Sequence, residues 1–155
     1  MSPQVWIAVI VGVAASAQDV LRRRISNWIP AAALAAGLGY HTMAGGWRGA
    51  LTALAGAACG FAVFLVFYLL GGMGGGDVKL MAGFGAVLGV GRLLEAALWT
   101  AAVGGLVAAA VVGWSAVRRR SNRGDGTSRS APRAESIPYA PAITAGAWLA
   151  LIPKG

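Results

Sequence analysis

The sequence predicts an all-α integral membrane protein, a bundle of about six transmembrane helices. Of its 155 residues, 57% are hydrophobic and only 12% are charged, whereas an ordinary soluble domain has about 25% charged residues. The charges are clustered, which leaves uncharged runs close to the ~20 residues that a helix needs to cross a bilayer. The 24 glycines also suit helices that pack closely in lipid.

The uncharged runs divide the chain into six predicted segments. Backbone groups in lipid must pair within a helix or a closed barrel, and the runs lack the alternation of apolar and polar residues that barrels have. We therefore expect helices at 4–21, 28–46, 50–72, 77–91, 93–117 and 138–153. The fourth segment is about 22 Å long, which is short for a ~30 Å hydrocarbon core. Whether it spans fully, tilts or is partly re-entrant stays open.

The basic residues indicate how the helices are oriented. The net charge is +8, and most basic residues fall at 22–27, just after 73–76 and at 118–137, which the positive-inside rule places in the cytoplasm. Both termini are then expected outside, in the inner (plasma) membrane. Because topology explains the charge, nucleic acid is not an expected partner. The N-terminus lacks a basic region, so no cleaved signal peptide is expected.

One loop is unusually basic. Residues 118–136 are rich in arginine, serine and glycine and have no hydrophobic periodicity. They predict a mobile cytoplasmic loop of a single membrane-embedded domain, 1–155, rather than a second domain. Anionic lipid headgroups are its expected partner, since each arginine near such a surface contributes about 1 kcal/mol.

Two acidic residues stand out because of where they lie. Asp19 is near the cytoplasmic end of the first segment, and Asp77 opens the fourth segment from the same side. Acids within a membrane usually face the bundle interior or a wet cavity and mark functional sites. Each also has a structural alternative. Asp19 has the spacing to pair with Arg22 or Arg23, and Asp77 fits a first-turn acid at a helix start.

Other polar residues have simpler expected roles. Glu95 lies near Arg92 and predicts an ion pair at the membrane boundary, and His41 is expected to be structural. Cys59, the single cysteine, is expected to be a buried small apolar residue. Because the sequence has no cluster of His, Cys and acidic residues, we expect no metal and no organic cofactor.

The glycines before Asp77 favour a functional site there. Five of the six residues at 71–76 are glycine, which permits positive φ angles and close approach of another backbone. A helix cap does not need that freedom, whereas a loop that binds an extended peptide needs its backbone to be accessible. The run lacks the phosphate-loop spacing G-x-x-x-x-G-K-[ST], so a nucleotide site is not expected.

Three motifs together resemble the type IV prepilin peptidases, membrane aspartic proteases of the G-x-G-D class. The most specific is Gly74-Gly75-Gly76-Asp77-Val78-Lys79-Leu80, which contains G-x-G-D-x-K-L. A second is Asp19-Val20-Leu21-Arg22-Arg23-Arg24-Ile25-Ser26-Asn27, in which Ser26 replaces the usual proline. The third is Ile137-Pro138-Tyr139-Ala140-Pro141-Ala142-Ile143 with Gly146.

The resemblance implies an endopeptidase that removes the leader of prepilin-like precursors at the cytoplasmic face. Asp19 and Asp77 would be its catalytic residues, sharing one proton because two close carboxylates do not both ionise readily. Gly74, Gly75, Gly76 and Lys79 would form the substrate loop. Lys79 would either moderate the charge of Asp77 or anchor a phosphate headgroup.

The resemblance is to the short form typical of tight-adherence pilus systems. No segment with paired cysteines precedes Asp19, so whether this chain N-methylates the product stays open. Two other functions stay open: a non-catalytic membrane subunit of a pilus or secretion assembly, and a small transporter. The sequence does not identify the precursor or the oligomeric state.

Overall fold

The computed structural model describes residues 2–22, 25–70, 73–121 and 140–152. Every regular element in these ranges is a helix, so the predicted all-α class is confirmed. The helices are α1 (Pro3–Arg22), α2 (Trp28–Leu69), α3 (Gly75–Leu88), α4 (Val90–Ser121) and α5 (Ala140–Leu149).

Helix α2 combines the second and third predicted segments and is broken at Gly46. A straight helix of its 42 residues would be about 63 Å long, twice the hydrocarbon core. Gly46 has φ 59° and ψ −141°, a conformation open to glycine and rarely to other residues. The two halves then pack on α3 in opposite directions. From Pro30 to Gly37, the contacts on α3 advance from Gly83 to Ala86, whereas from Gly56 to Gly60 they go back from Gly85 to Met81. Residues 28–45 and 47–69 therefore form a hairpin around α3.

The predicted number of about six spanning helices is not confirmed. Three helices in the described ranges are long and apolar enough to cross a membrane: α1, α2 and the part of α4 from Val90 to Val107. Helix α4 continues to Ser121, so residues 118–121, predicted as loop, are helical. The rest of the predicted basic loop lies outside the described residues.

Helix α3 is the centre of the bundle. It has 14 residues, about 21 Å, and its buried residues occupy all sides of the helix: Asp77, Val78, Leu80, Met81, Gly83, Phe84, Gly85, Ala86, Val87 and Leu88. A helix enclosed by protein does not need to match the thickness of the lipid. Its enclosure by the other helices explains how so short a segment is stable. Gly56 of α2 and Gly85 of α3 touch so closely that a side chain on either would overlap the other backbone.

Polar bonds hold α1 antiparallel to α5. The indole Nε1 of Trp148 donates to the carbonyl of Ala8 at 3.0 Å, and Ser16 Oγ donates to Thr144 Oγ1 at 3.1 Å. Hydrogen bonds between helices in a bilayer contribute about 0.6 kcal/mol on average. Their effect here is positional, because they bring the end of α1 to the start of α5.

Three predictions about single residues have different outcomes. The His41 ring bonds the Val87 carbonyl at 3.1 Å, which confirms its structural role. The prediction that Cys59 is buried is wrong, because Cys59 is exposed on α2. Lipid is as apolar as a protein core, so an apolar run does not reveal which of its faces meets protein. Glu95 is partly buried, and its ion pair with Arg92 stays a prediction.

Candidate active site

Asp19 lies in the last turn of α1 and is only 9% exposed. Its Oδ2 accepts a hydrogen bond from the backbone N–H of Ala140 at 3.2 Å. Ala140 is the first residue of α5, where amides have no partner within the helix and the helix dipole favours negative charge. The partner that the structure gives Asp19 is thus a helix start rather than Arg22, and Arg23 lies outside the described residues.

Asp77 is the third residue of α3 and is 8% exposed. Its Oδ2 accepts a hydrogen bond from the Gly74 N–H at 3.3 Å, and its own N–H donates to the Gly74 carbonyl at 3.1 Å. The structural alternative is therefore realised, because Asp77 does cap its helix. A cap of this kind is ordinarily solvated, whereas this carboxylate is buried, so capping alone does not account for its position.

The two aspartates are buried near each other. Within the described ranges they are the only acidic side chains that are buried, and they are near enough for the charge of Asp19 to act on Asp77. The structure thus brings together the two residues that the sequence singled out.

Gly74, Gly75 and Gly76 provide space rather than unusual backbone angles. Gly74 is extended, with φ −81° and ψ 150°, and the only glycines with positive φ in the described ranges are Gly46 and Gly89. The positive φ angles that the glycine run permits are therefore not adopted at 74–76. A Cβ on Gly76 would lie 3.3 Å from the Ile25 Cβ, which is a tight contact. Gly71 and Gly72, which belong to the same run, lie outside the described residues.

Lys79 binds a residue that the sequence analysis gave no role. Its Nζ donates to Asn27 Oδ1 at 3.1 Å, which ties α3 to the start of α2. The Ser26 amide donates to Gln18 Oε1 at 3.0 Å, which ties the same segment to α1. The second motif contains Asn27 and could have pointed to it as a site residue. Its pairing with Lys79, 52 residues away, has no sequence signature.

Comparison with known proteins identifies the family. The model of the type IV leader peptidase family matches residues 6–109, a range that contains both buried aspartates. This chain belongs to that family. The prepilin leader peptidase/N-methyltransferase of Bacillus subtilis (strain 168) is 41% identical over 101 residues, which are 64% of this chain and 35% of that protein. The chain thus spans about a third of the length of this curated relative. No solved structure matches.

Membership of the type IV leader peptidase family confirms the predicted resemblance, and the apolar helices agree with a membrane protein. The tight-adherence subtype stays a prediction. Helix α5 lies beyond the matched range, yet its first amide bonds Asp19. Gly146 holds α5 against α4 so closely that a side chain there would overlap Thr100 and Ala96. Ile137, Pro138 and Tyr139 of the third motif lie outside the described residues.

In the part of the chain that the structure describes, no three His, Cys, Asp or Glu side chains are grouped so that they could hold a metal ion. The chemistry that the site itself offers is that of two carboxyl groups. One carboxylate and one carboxylic acid together supply a general base for water and a hydrogen-bond donor for a carbonyl oxygen.

Proposed function

We propose that this chain is an intramembrane aspartic endopeptidase that cleaves the leader peptide of type IV prepilin-like precursors, with Asp19 and Asp77 as its catalytic pair. The observation that carries the proposal is the pair itself: two carboxyl groups buried near each other, in a chain of the type IV leader peptidase family.

In the proposed mechanism, the pair holds one proton between its two carboxyl groups. The ionised carboxylate takes a proton from water, which attacks the scissile carbonyl carbon, while the protonated carboxyl donates a hydrogen bond to the carbonyl oxygen. The C–N bond then breaks, and the amine leaves with a proton from the pair. The amides of Ala140 and Gly74 each bond an Oδ2, so they orient the two carboxyl groups.

The substrate segment is expected to bind in an extended form beside the start of α3. A peptide bond within a helix is hydrogen-bonded and enclosed, so the helix must unwind before an acid pair can reach the bond. Gly74 and Gly75 are exposed next to Asp77, and with Gly76 they present backbone without side chains. They form the proposed substrate loop. Lys79, bonded to Asn27, holds this loop against the start of α2.

The proposed location is the inner membrane, with the site near the cytoplasmic face. The topology predicted from the sequence places the arginines at 22–24 and 118–120 on the same side of the membrane. The positive-inside rule makes that side the cytoplasm. The basic loop would also attract anionic headgroups there. The proposal covers cleavage alone, because the chain matches about a third of the relative whose name includes methyltransferase.

The deciding experiment is cleavage in membranes of a co-expressed prepilin-like precursor, with and without this chain. We expect the shortened precursor only when the chain is present, and not with its Asp77→Asn variant. A non-catalytic assembly subunit would leave the precursor uncut while pilus assembly still depended on the chain. A transporter would instead give a solute flux that depends on the two acids.

A further inference from the structure

The hydrogen bonds between α5 and α1 form a series along one face of each helix. The α5 residues are spaced four apart, which places them on one face: Ala140, Thr144 and Trp148. Their partners follow in reverse order along α1: Asp19, then Ser16 and Gly12, then Ala8. The bond between the Ala140 amide and the Asp19 carboxylate is therefore the last of an antiparallel series, and the position next to it belongs to Thr144.

Thr144 is fully engaged with α1. Its side chain is 3% exposed, and its hydroxyl accepts a hydrogen bond from Ser16 Oγ at 3.1 Å and donates one to the Gly12 carbonyl at 3.3 Å. Gly12 makes room for this contact, because a Cβ there would overlap the Cγ2 methyl of Thr144. The hydroxyl thus joins the two helices by two bonds, about one helical turn from Ala140.

These bonds fix the position of α5 along α1 more sharply than apolar packing does. Hydrogen bonds are directional, whereas apolar burial is not. On the other side of α5, Gly146 packs against Thr100 and Ala96 of α4, which sets how near the two helices lie. Sliding α5 by one residue would move its first amide by about 1.5 Å, and the 3.2 Å bond to Asp19 would not survive that shift.

We propose that Thr144 is a positioning residue for the reaction: its hydroxyl sets the register of α5 on α1 and thereby holds the Ala140 amide against Asp19. The inference rests on the proposed function, because it concerns how one of the two catalytic aspartates is oriented. The Thr144 hydroxyl bonds Ser16 and Gly12 rather than Asp19, so it acts through α5. A side-chain change at 144 leaves the Ala140 amide in the chain but shifts where that amide lies.

Two threonine-to-valine variants provide a matched test. Thr144→Val keeps the shape of the side chain and removes the hydroxyl that bonds α1. Thr100→Val makes the same change at a buried threonine that also packs against α5, but whose hydroxyl has no hydrogen-bond partner in the described part of the chain. We expect Thr144→Val to lower kcat about tenfold with KM nearly unchanged, because a displacement of about 1 Å can cost ~10²-fold in rate. Thr100→Val should keep both constants within about twofold of the wild type.

Thr144→Ser shows whether the hydroxyl or the methyl group matters. It keeps the hydroxyl and loses only the methyl beside Gly12, so its kcat should stay within about twofold of the wild type. Three results would each overturn the inference: a wild-type kcat for Thr144→Val, an equal loss in Thr100→Val, or a serine variant as slow as the valine variant. Failure of the wild-type chain to cleave would instead overturn the proposed function.

Ala140→Pro shows whether Thr144 and the amide act through the same bond. Proline lacks the N–H, and the first position of a helix accepts its ring. The variant should lower kcat at least as much as Thr144→Val does, and adding Thr144→Val to it should lower kcat no further than about twofold. Losses that multiply would show that Thr144 acts by another route, and the inference would fail.

Hydrogen exchange tests the contact without relying on activity, and it decides the question even where the proline variant does not accumulate. In the purified chain, the Ala140 amide should exchange at least tenfold faster in Thr144→Val than in the wild type, and no more than about twofold faster in Thr100→Val. The amide of Leu80, which is buried in α3, is the internal reference and should not change. If Ala140 exchanges at the wild-type rate in Thr144→Val, or if Leu80 accelerates equally, Thr144 only stabilises the fold and does not position Asp19.

Discussion

The carboxylate of Asp19 accepts a hydrogen bond from the amide of Ala140, 121 residues later in the chain. This bond joins the end of α1 to the start of α5 and fixes one member of the proposed catalytic pair. Asp77 is fixed in the same way by the Gly74 amide. Each acid is thus oriented by a backbone group at a helix start, which a side-chain substitution elsewhere does not remove.

The first prediction follows from these bonds. Asp19→Asn and Asp77→Asn should each abolish cleavage while the protein stays nearly as abundant, because an amide oxygen still accepts from Ala140 or Gly74. Asp→Glu should also fail at both positions, since a displacement of about 1 Å can cost ~10²-fold in rate. Cleavage is measured per folded molecule in membranes, with Glu95→Gln on α4 as the control acid. Wild-type cleavage by either Asn variant would exclude that residue from catalysis.

The second prediction concerns topology. A reporter fused after Gly124 should behave as cytoplasmic, and one fused after Gly155 as external, because arginines flank the first position. Labelling of single cysteines from each side of the membrane gives an independent reading. If position 124 proved external, the proposed cytoplasmic location of the two aspartates would be wrong.

The third prediction tests the bond between Lys79 and Asn27. If Lys79 acts mainly by holding Asn27, then Lys79→Met, Asn27→Ala and the double variant should lower cleavage by the same factor, a few-fold, because the bond is lost equally in each. If Lys79 instead binds the substrate or a headgroup, the double variant should be clearly worse than Asn27→Ala. Arg92→Met serves as a control for loss of a positive charge.

The sequence was most informative about the site where a polar residue lies within an apolar, membrane-spanning segment. Asp19 and Asp77 were conspicuous because a carboxylate is rare in an apolar run, and the break at Gly46 lies at the predicted boundary between the segments 28–46 and 50–72. The face of α2 that carries Cys59 could not be inferred, because lipid and protein interior are equally apolar. The hydrogen bond from the Ala140 amide to Asp19 could not be inferred either, because any non-proline residue has a backbone N–H and the residue type does not show which one reaches Asp19.

The last prediction concerns the space that Gly76 provides beside Ile25. Gly76→Val would place its methyl groups against Ile25, whose Cβ, Cγ1 and Cδ1 lie 3.3 to 3.7 Å from a Cβ at this position. It should lower cleavage per folded molecule at least tenfold by pushing the start of α3, and with it Asp77, away from Asp19. Gly91→Val is the matched control, since a side chain there meets open space.

Two further variants separate space from substrate access. Ile25→Ala removes the outer carbons of the neighbour and should partly restore cleavage in the Gly76→Val background. Gly74→Val has no such neighbour, because a Cβ there meets only Asp77 Oδ2 at 3.4 Å, so Ile25→Ala should not rescue it. If Gly74 presents backbone to an extended substrate, its valine variant should lose cleavage chiefly through a higher KM. If Gly74→Val and Gly91→Val had equally small effects, the substrate loop would not include Gly74.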